Sequence, residues 1–122
     1  ATVRSPEEGG AHELEPDTRR SIYDTFFGSV AIVDTEVATL KLPEFSEFAK
    51  EAGTRDTLVL ASFHDFQQWP GENTLREKID LAYEKGADIA KVAVIVDSMS
   101  QLFELVRLVE FHRTFLRGQV PV

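Results

Sequence analysis

Cysteine is absent from the chain, which excludes disulfide scaffolds, thiolate zinc sites and cysteine nucleophiles without assigning a compartment. Basic residues are scarce: 13 Lys and Arg stand against 21 Asp and Glu, a formal net charge of -8, and no basic run interrupts the acidic background. A phosphate backbone or an anionic bilayer surface is therefore a poor partner, so neither nucleic acid nor membrane is expected. No stretch approaches the ~20 apolar residues of a membrane span, and no signal peptide is visible. A soluble, cytoplasmic protein is the default expectation. Linkers, repeats and low-complexity tracts are missing too. What remains is 122 residues, 43% of them hydrophobic, enough for one ordinary globular domain. The opening ATVRS already looks strand-like without an initiator methionine, and the closing GQVPV looks like a strand just beginning. Both ends are expected to be cuts.

The apolar residues are arranged in alternating periods. DTRRSIYDTFF predicts a short amphipathic helix capped by Asp17, with Ile22, Tyr23, Phe26 and Phe27 at helical spacing and Gly28 as its stop. VAIVDTEVATL is rich in β-branched residues and predicts a strand, and PEFSEFAKEAG a helix with Phe45, Phe48 and Ala49 on one face. TLVLASFHDF then predicts a strand, ENTLREKIDLAYEKG a helix through Leu75, Ile79, Leu81 and Ala82, and ADIAKVAVIV a strand. A last helix is expected from about Ser98 to Leu116, with Leu102, Leu105, Val106, Val109 and Phe111 apolar. With ATVRS as a first strand, the order is β-α-β-α-β-α-β-α. Such alternation implies an α/β fold with a parallel sheet and helices outside it, either a doubly wound open sheet or a (β/α) barrel.

Side chains alternate across a strand, so parity sorts them into two faces. Val92, Val94 and Val96 suit the helix side, which leaves Lys91 on the opposite face with Ile89, Ala93 and Ile95. In the preceding strand Val59, Ala61 and Phe63 share one parity, and Leu58, Leu60, Ser62 and His64 the other. Asp34 and Glu36 share parity with Ile32, and Arg4 with Thr2, just before the turn PEEGG. Four successive strands thus aim ionisable groups from one face near their C-terminal ends, which is where a barrel places its active site. Bland readings compete at each position: an edge or snorkelling lysine, a turn histidine bonded locally, glycines that merely allow positive φ, and Asp34 and Glu36 as a structural ion network with Arg4 or Lys91. Agreement in face and in strand end among four strands weakens them together.

Other chemistries fit less well. His12, His64 and His112 show no paired metal-ligand spacing, and Ser62 lacks a G-x-S-x-G elbow. A desolvated lysine amine can attack a ketone or aldehyde, and the resulting iminium makes the adjacent carbon acidic. Histidine is the natural base for that proton, with a carboxylate to orient its ring. The residues alone point to a Schiff-base lyase or aldolase.

At this point the sequence resembles type I 3-dehydroquinate dehydratase. TVRSPEEGG is similar to that family's R-S-x-x-E-G-G strand, IVDTEV to its next strand, SFHDF with Pro70 beyond it to its S-x-H-D-F and T-P segment, and GADIAKVAV to its G-A-D-I-x-K-I-A strand. The matches come in the family's order from Thr2 to about Val94. The resemblance implies that Lys91 forms an imine with the C3 ketone of 3-dehydroquinate, that His64 is the base at C2 and then the acid expelling the C1 hydroxyl, that Glu8 positions and tunes His64, and that Arg4 contacts substrate hydroxyls. It implies 3-dehydroshikimate as product, a place in the shikimate or quinate pathway, and no metal or organic cofactor.

The departures are equally specific. The family's closed eight-stranded barrel is roughly twice this long, so residues 1–122 correspond to a partial TIM-barrel domain of about four βα units, strands three to six. Its early E-W-R-x-D strand, the arginine that clamps the substrate carboxylate and the closing loop have no counterpart here, and its Met-Pro after the lysine strand is Val96-Asp97. Exposed edges and an uncovered inner face would then require the remainder of the barrel or a second copy, as a homodimer, and the 122 residues alone are expected to turn over weakly or not at all. Two alternatives stand beside the dehydratase: a non-catalytic or regulatory binding module built on the same barrel, and another lysine-dependent class I aldolase.

Overall fold

The computed structural model describes residues 1–115, with side chains through residue 112. The fifth strand expected over GQVPV lies outside the described residues. Helix α1 (Pro16–Phe26) leads to strand β1 (Ile32–Glu36), and two 3-10 turns, Thr39–Lys41 and Pro43–Phe45, precede helix α2 (Phe48–Gly53). Strand β2 (Leu58–Asp65), helix α3 (Glu72–Glu84), strand β3 (Ile89–Val94) and helix α4 (Met99–Phe115) complete the α/β alternation. The three strands form one parallel sheet in the order β1-β2-β3. No helix among the described residues is long and apolar enough to cross a membrane.

The expected first strand is reduced to a fragment. The Ala1 amino group donates to the Ile32 carbonyl at 2.8 Å, the Asp34 N–H donates to the Ala1 carbonyl at 2.7 Å, and a single parallel bridge joins Thr2 to Asp34. The ladder then stops for local reasons. The Val3 N–H goes to the Tyr23 hydroxyl, the Ser5 N–H to the Glu36 carboxylate, and Pro6 has no N–H to offer. The sheet therefore has three named strands and a pinned edge segment rather than four full strands.

Two helices also depart from expectation. Asp17 lies inside the first turn of α1, with Glu15 at the cap and Pro16 at the first helical position. Tyr23 and Phe27 are buried as expected, but Arg19 joins them on the buried stripe while Phe26 is exposed. The expected helix over 43–53 is broken, because the Pro43 turn ends at Phe45 and α2 restarts at Phe48.

The core lies between the sheet and its helices. Val33, Val37, Val59 and Ala61 are fully or almost fully buried on the helix side, against Tyr23, Phe27, Phe45 and Phe48. Phe48 is the centre of this cluster, with ring centroids of Tyr23, Phe27 and Phe45 at 5.2, 5.2 and 5.1 Å. Offset or edge-on pairs of this kind add about 0.5–1.5 kcal/mol each beyond the area they bury. A second cluster, Leu75, Ile79 and Leu108, packs α3 and α4 over Val92 and Val94. Helix α4 is apolar on both sides: Leu105 and Leu108 face inward, and Leu102, Val106, Val109 and Phe111 are exposed. The opposite face of the sheet is open at its amino end, where Ile32 and Leu58 are 38% and 42% exposed, and polar at its carboxyl end.

Candidate active site

Strand register assembles the polar end. Glu36 pairs with Ser62, and Ser62 with Lys91, so three strands contribute one cross-strand row on the face away from the helices. Asp34 lies one same-face position before it, and His64, paired with Ala93, one position after. The β2–β3 register is held by Asp88, whose carboxylate accepts the Val59 N–H at 2.8 Å while its own N–H donates to the Val59 carbonyl at 2.9 Å.

Glu8 reaches this rim through the turn Pro6–Glu8. The Gly10 N–H closes it on the Ser5 carbonyl at 2.7 Å. Gly9 has φ +99°, and a Cβ on Gly10 would lie 2.1 Å from the Arg4 carbonyl oxygen, so both positions require glycine. The glycines of PEEGG thus serve backbone geometry, as the bland reading held, and that geometry aims Glu8 at His64.

The Glu8 carboxylate stands 2.7 Å from His64 Nδ1, and the Arg4 Nη1 stands 3.2 Å from the same nitrogen. A guanidinium only donates and a carboxylate only accepts, so Nδ1 cannot satisfy both. The shorter contact is with ionised Glu8, and Arg4 Nη1 has another acceptor in the Ser62 hydroxyl at 2.7 Å. Nδ1 therefore carries the proton and donates to Glu8, which leaves the lone pair on Nε2. Burial pushes the Glu8 carboxyl above its ordinary value of 4.5, and the His64 hydrogen bond offsets this only in part.

Arg4 and Lys91 share an anion. Arg4 Nη2 donates to Asp34 Oδ2 at 3.1 Å, and Lys91 Nζ lies 3.9 Å from the same oxygen. Ser62 donates to the other oxygen, Oδ1, at 2.6 Å. The Lys91 side chain, on the edge strand β3, remains 45% exposed.

A buried ion pair supports the site from below. Arg19 Nη2 donates to Glu36 Oε2 at 2.5 Å and to the Val3 carbonyl at 2.9 Å, the Thr39 hydroxyl donates to Oε2 at 2.9 Å, and the Ser5 N–H donates to Oε1 at 2.5 Å. Burial alone would push the Glu36 carboxyl up, but the Ser5 N–H and the Arg19 guanidinium outweigh it and hold the group below its ordinary value. A depressed carboxyl contributes stability above its unfolded pKa and loses it as pH falls through the folded one. Glu36→Gln is accordingly expected to cost about 1.5–3 kcal/mol at neutral pH, the range for a charged hydrogen bond, with the deficit narrowing on acidification; urea unfolding at two pH values measures both.

The four residues expected from sequence converge here: Arg4, Glu8 and His64 in direct contact, and Lys91 through Asp34. The structural-network reading of Asp34 and Glu36 divides in two, since Glu36 binds Arg19 and only Asp34 reaches Arg4 and Lys91. Ser62 carried a signal in its parity with His64. Arg19 and Tyr23 carried none that spacing could separate from an ordinary amphipathic helix. His112, expected on a helix flank, sits on α4 and bonds the Leu108 carbonyl at 2.9 Å.

Comparison with known proteins adds an independent line. A family model described as type I 3-dehydroquinase matches residues 1–121. The chain is 32% identical over 111 residues to the 3-dehydroquinate dehydratase of Pyrococcus abyssi, covering 90% of this chain and 50% of that protein. It is 36% identical over 110 residues to the 3-dehydroquinate dehydratase of Aromatoleum aromaticum, covering 87% of this chain and 42% of that protein. The crystal structure of 3-dehydroquinate dehydratase from Geobacillus kaustophilus superposes with a TM-score of 0.86 at 28% identity, over 98% of this chain and 46% of that one. The chain spans about half the length of the curated relatives it matches.

Proposed function

The chain belongs to the type I 3-dehydroquinase family, and from that premise we propose that the protein containing it dehydrates 3-dehydroquinate to 3-dehydroshikimate through an imine on Lys91. The observation that carries the proposal is the Glu8–His64 contact at 2.7 Å on the same rim as Lys91. A base with its lone pair on Nε2, oriented by a carboxylate, is what proton removal beside an iminium requires.

The free amine of Lys91 adds to the C3 carbonyl, and the carbinolamine, with one proton taken from solvent, loses water to leave an iminium. His64 Nε2 takes the proton from C2, and the C–H electron pair moves into an enamine whose nitrogen is neutral. That pair then expels the C1 hydroxyl, which receives the proton from His64 and leaves as water. Hydrolysis of the conjugated iminium by water releases the product, restores the amine and returns the proton to solvent. Glu8 accepts the Nδ1 proton bond throughout and stabilises the transient imidazolium. Arg4, held by Asp34 and Ser62, presents a fixed cation to the substrate's hydroxyl groups.

The rest of the barrel completes the site in this reading. Support comes from the half-length coverage of relatives, from the exposed Ile32 and Leu58 on the inner face, and from β3, which has no outer neighbour among the described residues. The other half supplies the missing strands, whether from the same protein or from a second copy.

The test is a product assay on the full-length protein. Incubation with 3-dehydroquinate is expected to produce the ultraviolet absorbance of a conjugated enone, while sugar-phosphate aldol substrates remain intact. Aldol cleavage without enone formation would assign a lysine-dependent aldolase instead, and neither activity from folded protein would assign a binding module.

A further inference from the structure

Asp34 lies at the junction of two cations that would otherwise repel one another. Its Oδ2 stands 3.1 Å from Arg4 Nη2 and 3.9 Å from Lys91 Nζ. Its Oδ1 accepts the Ser62 hydroxyl at 2.6 Å, and that hydroxyl in turn accepts Arg4 Nη1 at 2.7 Å. The residue's backbone is anchored as firmly as its carboxylate. The Tyr23 hydroxyl donates to its carbonyl at 2.7 Å, its N–H donates to the Ala1 carbonyl at 2.7 Å, and β1 holds it in register with Leu60. A buried tyrosine and a ladder thus fix the strand, the strand fixes the carboxylate, and the carboxylate is the shared partner of Arg4 and Lys91.

We propose that Asp34 is a positioning residue for imine formation: it sets the Lys91 amine and the Arg4 guanidinium at a constant separation, so that a substrate held by the arginine brings its ketone to the amine. This rests on the dehydratase reading and adds to it a residue that contacts neither the reacting carbon nor the proton in transfer. Three features support charge, rather than packing, as the working property. Its side chain is 20% exposed, so it is not a core filler. It is the one carboxylate among the described residues within 4.0 Å of Lys91 Nζ. Its partner also stays cationic when the ammonium is replaced by an iminium, so the pairing survives formation of the covalent bond.

Asparagine keeps the shape and the acceptor for Ser62 but removes the charge, whereas glutamate keeps the charge. The full-length protein and its Asp34→Asn and Asp34→Glu variants are to be incubated with saturating 3-dehydroquinate and borohydride, and the growth of the reduced adduct followed by intact mass, with thermal melting as the fold control. Misplacement of a reacting group is expected to slow adduct growth about tenfold to a hundredfold in Asp34→Asn at unchanged melting temperature, with Asp34→Glu recovering most of the rate. Adduct growth in Asp34→Asn at the wild-type rate overturns the proposal and leaves the dehydratase reading intact. Equal slowing in both variants overturns it as well, because charge would not be the property that matters. An Asn variant that does not fold makes Asp34 a stability residue and ends the assignment. Absence of an adduct from the folded wild-type protein overturns the dehydratase reading itself.

Discussion

Lys91→Ala is expected to abolish the borohydride-stable adduct with 3-dehydroquinate and, with it, measurable turnover. No other group at the rim can replace an amine: Arg4 is held by Ser62 and Asp34, and a guanidinium does not ionise to a nucleophile in water near neutrality. The other lysines stand elsewhere. Lys78 sits over the Phe63 ring from α3, and Lys85 caps the end of that helix, both on the helix side of the sheet. Because the Lys91 side chain is 45% exposed and its ladder bonds are main-chain, the alanine variant is expected to fold with a stability change of no more than about 0.5 kcal/mol. Intact-mass analysis before and after reduction decides the matter, and an adduct that persists in the folded variant would move the imine to another residue.

His64→Ala is expected to separate the two halves of the reaction. Imine formation needs the amine and a correctly held ketone, so the trapped adduct should still appear. Removal of the C2 proton needs the base, and loss of a positioned general base slows turnover by about 10²–10⁴-fold. An accumulating adduct with little enone formed is the expected signature, while turnover near the wild-type rate would transfer the base role to another group. The partner carboxylate gives this prediction a pH dependence. Burial holds the Glu8 carboxyl above its ordinary value, so on acidification Glu8 protonates sooner than an exposed glutamate would, and the acceptor for Nδ1–H is lost first. The acid limb of turnover should therefore begin at a higher pH than an exposed glutamate would set, and change shape in Glu8→Gln. The same upward shift makes ionised Glu8 a small cost to the fold that appears as pH rises through its folded pKa.

The comparison between expectation and structure separates local information from long-range information. Strands β2 and β3 and helix α3 matched their expected spans closely, since period-two and period-3.6 patterns report burial on one side of a single element. Parity likewise assigned Asp34, Glu36, Ser62, His64 and Lys91 to one face, because alternation is a property of the strand itself. The failures occurred where partners distant in sequence competed for the backbone. The first strand ends early because Glu36, 31 residues away, takes the Ser5 N–H. The buried side of α1 carries Arg19 rather than Phe26, because the buried Glu36 carboxylate must be paired once it leaves water.

The sequence by itself determined the α/β class, the shared face of Asp34, Ser62, His64 and Lys91, and, through its motifs, the family. Only tertiary structure decided which anion each cation would hold. Asp34 rather than Glu36 meets Arg4 and Lys91, and Glu36 is committed to Arg19. Electrostatic partnership depends on distances of a few ångströms and on exclusion from water, and those follow from strand register and from the turn at Gly9 and Gly10, which no local period encodes.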